Sequence, residues 1–214
     1  MLGAQLSSQI RKILAKEMGD GEVSLKLFGK KEECAACGEY AEIAKEISSL
    51  HDNISFEECS FSSQERARHF IEVAPSLVVL SSKTGGSAAF CGFPGGHLFN
   101  VLIDDIIEAS KGKLPIPSHI EKKIKSIDFP LKIRVFVSHA CPYCPGAVKV
   151  AHDFSLLNPK ISAQMVDSAA FPELSGRFRV MSVPKTIIND RREFTGAQPS
   201  ENLLREILAL PPSP

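Results

Sequence analysis

Two C-x-x-C pairs, Cys34-Ala-Ala-Cys37 and Cys141-Pro-Tyr-Cys144, stand 107 residues apart in a chain of 214. Each pair therefore holds the same place in its half, and whatever is built around the first must be built again around the second. The surroundings agree. A short apolar run of strand length precedes each pair, Val23-Ser-Leu-Lys-Leu-Phe28 and Leu131-Lys-Ile-Arg-Val-Phe-Val137. Apolar residues at helical spacing follow each pair: Tyr40, Ile43, Ala44 and Ile47 in one half, Ala147, Val148, Ala151 and Phe154 in the other. Further strands are expected at 54–59 and 161–166. A proline then opens another apolar run, at Ala74-Pro75 and at Val183-Pro184, 41 and 43 residues after the first cysteine of each pair. Proline is tolerated at the first residue of a strand, and an X-Pro bond is where a cis peptide costs little. Glycine-containing turns and helices at 98–110 and 201–210 close the halves, and helices near 4–18 and 118–127 open them.

Leu114-Pro-Ile-Pro117 reads as the linker, so the expected units are 1–116, carrying Cys34 and Cys37, and 117–214, carrying Cys141 and Cys144. The fold class is α/β, with two tandem units, each a central mixed β-sheet flanked by helices. At 43% hydrophobic residues the chain can fill a core. Lys and Arg (25) balance Asp and Glu (25), which argues against nucleic acid or an anionic membrane as partner. No apolar run approaches the ~18–20 residues of a membrane span. The first residues alternate apolar and polar and show no signal-peptide core, so a cytoplasmic protein is expected.

In that compartment, cysteines at this spacing mean redox chemistry or metal binding. Zinc ribbons bring their ligand pairs together in small, loop-rich modules, whereas these pairs sit in separate α/β halves, so no metal is expected. Cys59 and Cys91 read as small core residues. His97 and His152 read as surface or core histidines, and only His139 lies close enough to a pair to matter. The Glu121-Lys-Lys-Ile-Lys125 stretch reads as a solvated helix face.

Disulfide exchange needs one thiolate that attacks and a second thiol that releases the mixed disulfide. A cysteine at a helix start faces unsatisfied N–H groups and the positive end of the helix dipole, which favours its thiolate. Cys141 is therefore expected to attack and Cys144 to resolve, with Pro142 at the first helical position. Cys34 and Cys37 follow the same pattern. Glu32, Glu33 and Glu39 crowd Cys34, whereas no acid lies within five residues of Cys141. The second pair is expected to carry more of the activity.

A strand, a C-x-x-C at a helix start and a proline some forty residues later resemble the thioredoxin fold, here present twice. The tandem arrangement is similar to the protein disulfide oxidoreductases of archaea and bacteria, also called glutaredoxin-like proteins. The most specific stretches are Cys141-Pro-Tyr-Cys-Pro145, Val180-Met-Ser-Val-Pro-Lys185 and Gly92-Phe-Pro-Gly-Gly-His97. A second resemblance is to the N-terminal portion of alkyl hydroperoxide reductase flavoproteins, whose first unit has lost the cysteines kept here. The resemblance implies that Pro75 and Pro184 are cis-prolines facing the dithiols, with Ala74 and Val183 offering backbone to an extended substrate. It implies no cofactor beyond the redox-active disulfides. Its partners would be protein disulfides and a thioredoxin-reductase-like flavoprotein as electron donor. The alternatives are an electron relay to a peroxiredoxin and a glutathione-dependent glutaredoxin. Thioredoxins place a buried Asp on the strand before the motif. Residues 131–140 contain no carboxylate, which leaves Asp167 and Glu173 as candidates for that base.

Overall fold

The apolar run before each cysteine pair is a strand, and the stretch after it a helix, in the computed structural model, which describes residues 2–210. The first half runs α1 (Ala4–Glu17), β1 (Val23–Phe28), α2 (Cys37–Ser48), β2 (Ile54–Cys59), a 3-10 turn (Gln64–His69), β3 (Ser76–Ser81), β4 (Ser87–Cys91) and α3 (Leu98–Lys111). The second runs α4 (Ser118–Lys125), β5 (Leu131–Val137), α5 (Cys144–Leu157), β6 (Ile161–Asp167), α6 (Pro172–Arg177), β7 (Lys185–Ile188), β8 (Arg192–Thr195) and α7 (Ser200–Leu208). Both expected prolines stand directly before strands, Pro75 before β3 and Pro184 before β7. Met1 and residues 211–214, the outer ends of the expected units, lie outside the described residues.

Within each half the strands pair alike. β1 runs parallel to β2 and antiparallel to β3, and β3 antiparallel to β4; β5, β6, β7 and β8 repeat this. The expectation of one sheet per unit needs a correction. The halves share a single eight-stranded sheet of order β2-β1-β3-β4-β6-β5-β7-β8, joined by a parallel β4–β6 ladder from Ala88↔Ala163 to Cys91↔Val166. Side-chain chemistry explains the joint. β2 is a true edge and exposes Glu57 and Glu58, charges that deter further pairing. Its counterpart β6 is buried along its whole length and carries neutral Ser162 and Gln164 instead. Ser162 Oγ donates to the His69 carbonyl at 2.9 Å, and Gln164 Nε2 to the His69 and Phe70 carbonyls at 2.7 and 2.8 Å.

One face of the sheet carries the larger core, which runs without a break from Leu25 and Ile47 through Phe90 and Ile106 to Val148, Phe154 and Leu204. The other face carries a smaller cluster built on Phe28, Ile71, Val78, Phe136 and Val166. Cys59 and Cys91 are buried there as free thiols, in the core positions expected of them.

Charged groups close the joint on both faces. On one, α3 meets α5 through Asp105, Glu108, Lys149, His152 and Asp153. His152 Nδ1 donates to Asp105 Oδ2 at 2.6 Å, and its ring stands edge-on to Phe90 at 4.8 Å. The Lys149 ammonium bonds Glu108 and Asp153 and lies 3.6 Å from Asp105. Burial opposes the Lys149 charge, but three carboxylates outweigh it and hold its pKa above the ordinary lysine value. One ammonium cannot satisfy three buried carboxylates. Burial, reinforced by Asp153 and Asp105 against the pull of Lys149, pushes Glu108 up to about 8. On the opposite face Arg134, 1% exposed, reaches from β5 to Glu72 of the first half and to Asp190, and its guanidinium stacks on Phe178 at 4.9 Å.

Replacing Lys149 by Met leaves buried carboxylates without their cation, and urea unfolding at pH 7 is expected to show a loss of about 3 kcal/mol. Glu108 supplies a second signature. Its folded pKa lies above the reference 4.5, so unfolding releases a proton between pH 4.5 and about 8. Its contribution is fully present below 4.5 and lost as the pH rises through 8. Glu108→Gln should therefore flatten the fall of stability between pH 5 and 8; an unchanged slope would remove Glu108 as its source.

Candidate active site

Each pair straddles the start of a helix, but a residue later than expected. α2 and α5 begin at the second cysteine, Cys37 and Cys144. The first cysteine lies in a tight turn ahead of it, where the Cys37 N–H donates to the Cys34 carbonyl at 3.2 Å and the Cys144 N–H to the Cys141 carbonyl at 3.3 Å. Helix entries often tighten into such i+3 bonds. Pro142 accordingly stands outside α5, and Pro145 takes the early helical position.

Cys34 and Cys37 form a disulfide with Cα atoms 5.3 Å apart, while Cys141 and Cys144 are free thiols. Cys141 is partly exposed and Cys144 buried. Burial, and then a hydrogen bond to the Cys141 sulfur, push the Cys144 thiol up to about 12, although the Ser138 N–H pulls the other way. The Cys141 Sγ lies 3.8 Å from the Val183 carbonyl oxygen. Both the Ala74–Pro75 and Val183–Pro184 bonds are cis. Pro75 and Pro184 are buried, and Ala74 and Val183 partly exposed. In the first half Cys34, Ala74 and Pro75 line one cavity of about 490 Å³. Among the described residues no cysteine belongs to a set of three or more ligand atoms within 4.8 Å.

Two local expectations change. Glu33 does not simply crowd Cys34, because its carboxylate is taken up by the loop after β2. It accepts from Ser60 Oγ at 2.5 Å and from the Lys30 and Phe61 N–H groups at 2.8 Å, and these bonds pull its pKa down to about 2. Glu39 does line the Cys34 cavity. His139 is not turned to Cys141 alone. Its Nε2 lies 2.8 Å from the Phe93 carbonyl and 3.3 Å from the Asp167 carboxylate; both only accept, so this nitrogen carries the proton.

The two candidates for a buried base go elsewhere. Asp167, at the end of β6, faces His139 and the Cys34 cavity, and Glu173 faces a groove with Glu72 and Arg177.

Three residues carry more of the site than their sequence context suggests. Gly29, at φ 121°, brings the strand so close to the motif that a Cβ there would meet the Cys37 sulfur at 2.6 Å. A lone glycine straight after an apolar strand and before a C-x-x-C is the available signal. Gly92, at φ 88°, lets the first half close on the second, since a Cβ there would meet Asp167 Cβ at 2.9 Å. Tyr40, in sequence only a helix-face residue, is buried in the cavity wall and donates from its hydroxyl to the Gly92 carbonyl at 3.3 Å.

Residues 131–209 match the thioredoxin-domain family. The whole chain is similar to the alkyl hydroperoxide reductase flavoprotein AhpF of Staphylococcus epidermidis, 28% identical over 208 residues, 97% of this chain and 38% of that protein. The AhpF structure from Enterococcus faecalis superposes with a TM-score of 0.84 at 27% identity, covering 95% of this chain and 98% of that one. A protein disulfide oxidoreductase from Aeropyrum pernix shares the fold, at TM-score 0.82 and 22% identity over 96% of this chain and 91% of that one. The chain is a tandem thioredoxin-fold thiol–disulfide oxidoreductase. It spans about 38% of the length of the curated relative it matches.

The two thiols of the second pair differ enough for chemical labelling to tell them apart. Iodoacetamide at pH 8 is expected to modify Cys141 in the reduced native protein while sparing Cys144, Cys59 and Cys91, as read by peptide mass mapping. Labelling of Cys144 ahead of Cys141 would contradict the burial of the second thiol.

Proposed function

We propose that this oxidoreductase exchanges disulfides with protein substrates chiefly through its second pair, with Cys141 attacking and Cys144 resolving. The observation that carries this reading is the accessible Cys141 sulfur beside the Val183 carbonyl, backed by a buried thiol held in its protonated form. The Cys141 thiolate attacks one sulfur of the substrate disulfide, forming a mixed disulfide and expelling the other sulfur as a thiolate. Cys144 then loses its proton and attacks the Cys141 sulfur. The Cys141–Cys144 disulfide forms and the second substrate thiol leaves, so two electrons and two protons have passed to the substrate. Val183 and Ala74 supply backbone to an extended substrate at their respective sites, next to Pro184 and Pro75.

The surface around Cys141 supports a macromolecular substrate. Tyr143 is 71% exposed and Met181 92% exposed, one on each of the segments that frame the thiol. Large apolar side chains in water beside a reactive sulfur suit a protein surface that covers them during exchange. The reading needs no bound cofactor, because the two disulfides carry the electrons. It implies a reducing, cytoplasmic setting and a flavoprotein of the thioredoxin-reductase type as donor. No helix among the described residues is long and apolar enough to cross a membrane.

A second reading has its own support. Similarity to AhpF extends over 97% of the chain. On that reading the two pairs relay electrons from a flavoprotein to a peroxiredoxin.

Insulin reduction, peroxiredoxin turnover and glutathione-disulfide exchange, assayed side by side with a flavoprotein donor, separate protein reductase, relay and glutaredoxin. Cys141→Ser is expected to abolish insulin reduction, whereas Cys34→Ser keeps a substantial part of it. Cys144→Ser should accumulate a substrate adduct on Cys141, visible by mass spectrometry. Losses of equal size at Cys34 and Cys141 would defeat the assignment of the main site. Replacing Tyr143 and Met181 together by Ala should raise KM for a protein substrate about five- to tenfold with kcat preserved, from about 1 kcal/mol of docking contact.

A further inference from the structure

The cavity beside Cys34 is walled by both halves. Glu39, Tyr40 and Phe93 belong to the first, and Asp167, Ala170 and Phe171 to the second. The strand order is the cause. β4 of the first unit has β6 as its neighbour, so the end of β6 and the segment leading into α6 arrive beside the first dithiol. β8, the counterpart of β4, ends the sheet, and nothing among the described residues stands beyond it in the same place. The duplicated motifs therefore sit in unlike grooves.

At about 490 Å³ the cavity falls within the range that holds a small ligand or a short peptide segment. Its aromatic walls are Tyr40, Phe93 and Phe171, with Tyr40 and Phe93 packed edge to face at 5.4 Å. Its charged groups are two carboxylates, Glu39 and Asp167, and its lining contains no Lys or Arg among the described residues. His139 hydrogen-bonds to Asp167 through a protonated nitrogen that it shares with the Phe93 carbonyl, so a neutral imidazole leaves the Asp167 charge in place. The position of the wall is tightly set, because Gly92 leaves no room between its backbone and Asp167 or the Phe171 ring.

We propose that the first dithiol is a selective site for disulfide-bearing polypeptide segments that carry an apolar side chain and a positive charge next to the cystine. Asp167 and Phe171, supplied by the second half, are its specificity-determining residues. The apolar side chain enters between the aromatic walls. The cation meets the two carboxylates, and an anionic substrate is repelled by both. The exchange itself follows the course given for the second pair: the Cys34 thiolate forms a mixed disulfide and releases one substrate thiolate. Cys37 then closes the Cys34–Cys37 disulfide and releases the other, two electrons and two protons going to the substrate. This inference rests on the reading that Cys34 and Cys37 exchange disulfides.

The test uses the full chain with Cys141→Ser and Cys144→Ser, so that only the first pair reacts, reduced with dithiothreitol and freed of excess before use. Single-turnover rates are measured at pH 8, which keeps imidazoles neutral. The substrates are two disulfide-linked peptides that differ in one residue beside a Phe-Cys, Lys in one and Glu in the other. Neutral hydroxyethyl disulfide reports whether the pair is competent at all. The expected preference for the Lys peptide is about tenfold, falling to about threefold when either Asp167→Asn or Glu39→Gln removes one carboxylate. Glu39 is an exposed helix residue, so its variant answers the question even if the Asp167 change perturbs folding. Phe171→Ala should slow both peptides about fivefold and leave the charge ratio intact. Equal rates for the two peptides, or a preference that survives in both carboxylate variants, would overturn the selectivity while leaving the exchange reading standing. Failure to reduce even hydroxyethyl disulfide would remove the exchange reading at this pair, and the selectivity with it.

Discussion

The parallel ladder between β4 and β6 is the constraint on which the rest depends. Without it, each half would end in a strand with a row of unpaired N–H and C=O groups, an invitation to pair with another chain. With it, two edges become the centre of one sheet, and each ladder bond contributes about 0.5–1.5 kcal/mol net. The joint then sets the packing on both faces. Gly86 opens the way for the end of α5, because a Cβ there would collide with the Ser155 and Leu156 carbonyls. Thr84 uses the same approach to donate from Oγ1 to the Leu156 carbonyl at 2.5 Å. A buried charge cluster on one face and the Arg134–Glu72 contact on the other tie the halves together further. Breaking any one partner strands a charge, so the joint resists sliding more than an apolar seam of the same area would.

Much of this is legible in the residues. Apolar periodicity around two matching C-x-x-C pairs places β1, β5, α2 and α5, and the prolines place β3 and β7, because each of these signals is local. The fusion of the sheets is not local, and periodicity alone does not reveal it. Yet it leaves a trace in the contrast between β2, which carries Glu57 and Glu58, and β6, where Ser162 and Gln164 stand in a strand without charges on either face until Asp167. An edge strand that omits protective charge is one that expects a neighbour. Lys149 and His152 illustrate the opposite difficulty. In sequence they are polar residues on a helix, and only the approach of α3 shows that they are buried against carboxylates.

At the thiols, local sequence identifies the pairs but not their surroundings. The charge around Cys34 cannot be judged by counting nearby acids. Glu33, its immediate neighbour, is tied into the loop after β2 by three hydrogen bonds, whereas Asp167, more than a hundred residues away, lines its cavity. The same holds for His139, whose ring reaches across the joint to Phe93 and Asp167. Spacing in the chain measures which groups are near only where the backbone is straight or helical. At the ends of strands, where these sites sit, the loops of the neighbouring unit decide.

Duplication followed by edge-to-edge fusion therefore breaks the equivalence of the copies without changing the motif. The operation that superposes one half on the other is a step along the sheet, from the order β2-β1-β3-β4 to β6-β5-β7-β8, and a step leaves one copy inside and one at the end. The inner copy acquires a wall from its neighbour and with it a cavity of defined shape and charge. The outer copy keeps an open groove, flanked by Tyr143 and Met181 in solvent. A closed two-fold pair would have given both copies the same surroundings. Here the chemistry of exchange is common to the two dithiols, but what each can hold against its sulfur follows from its place in the sheet.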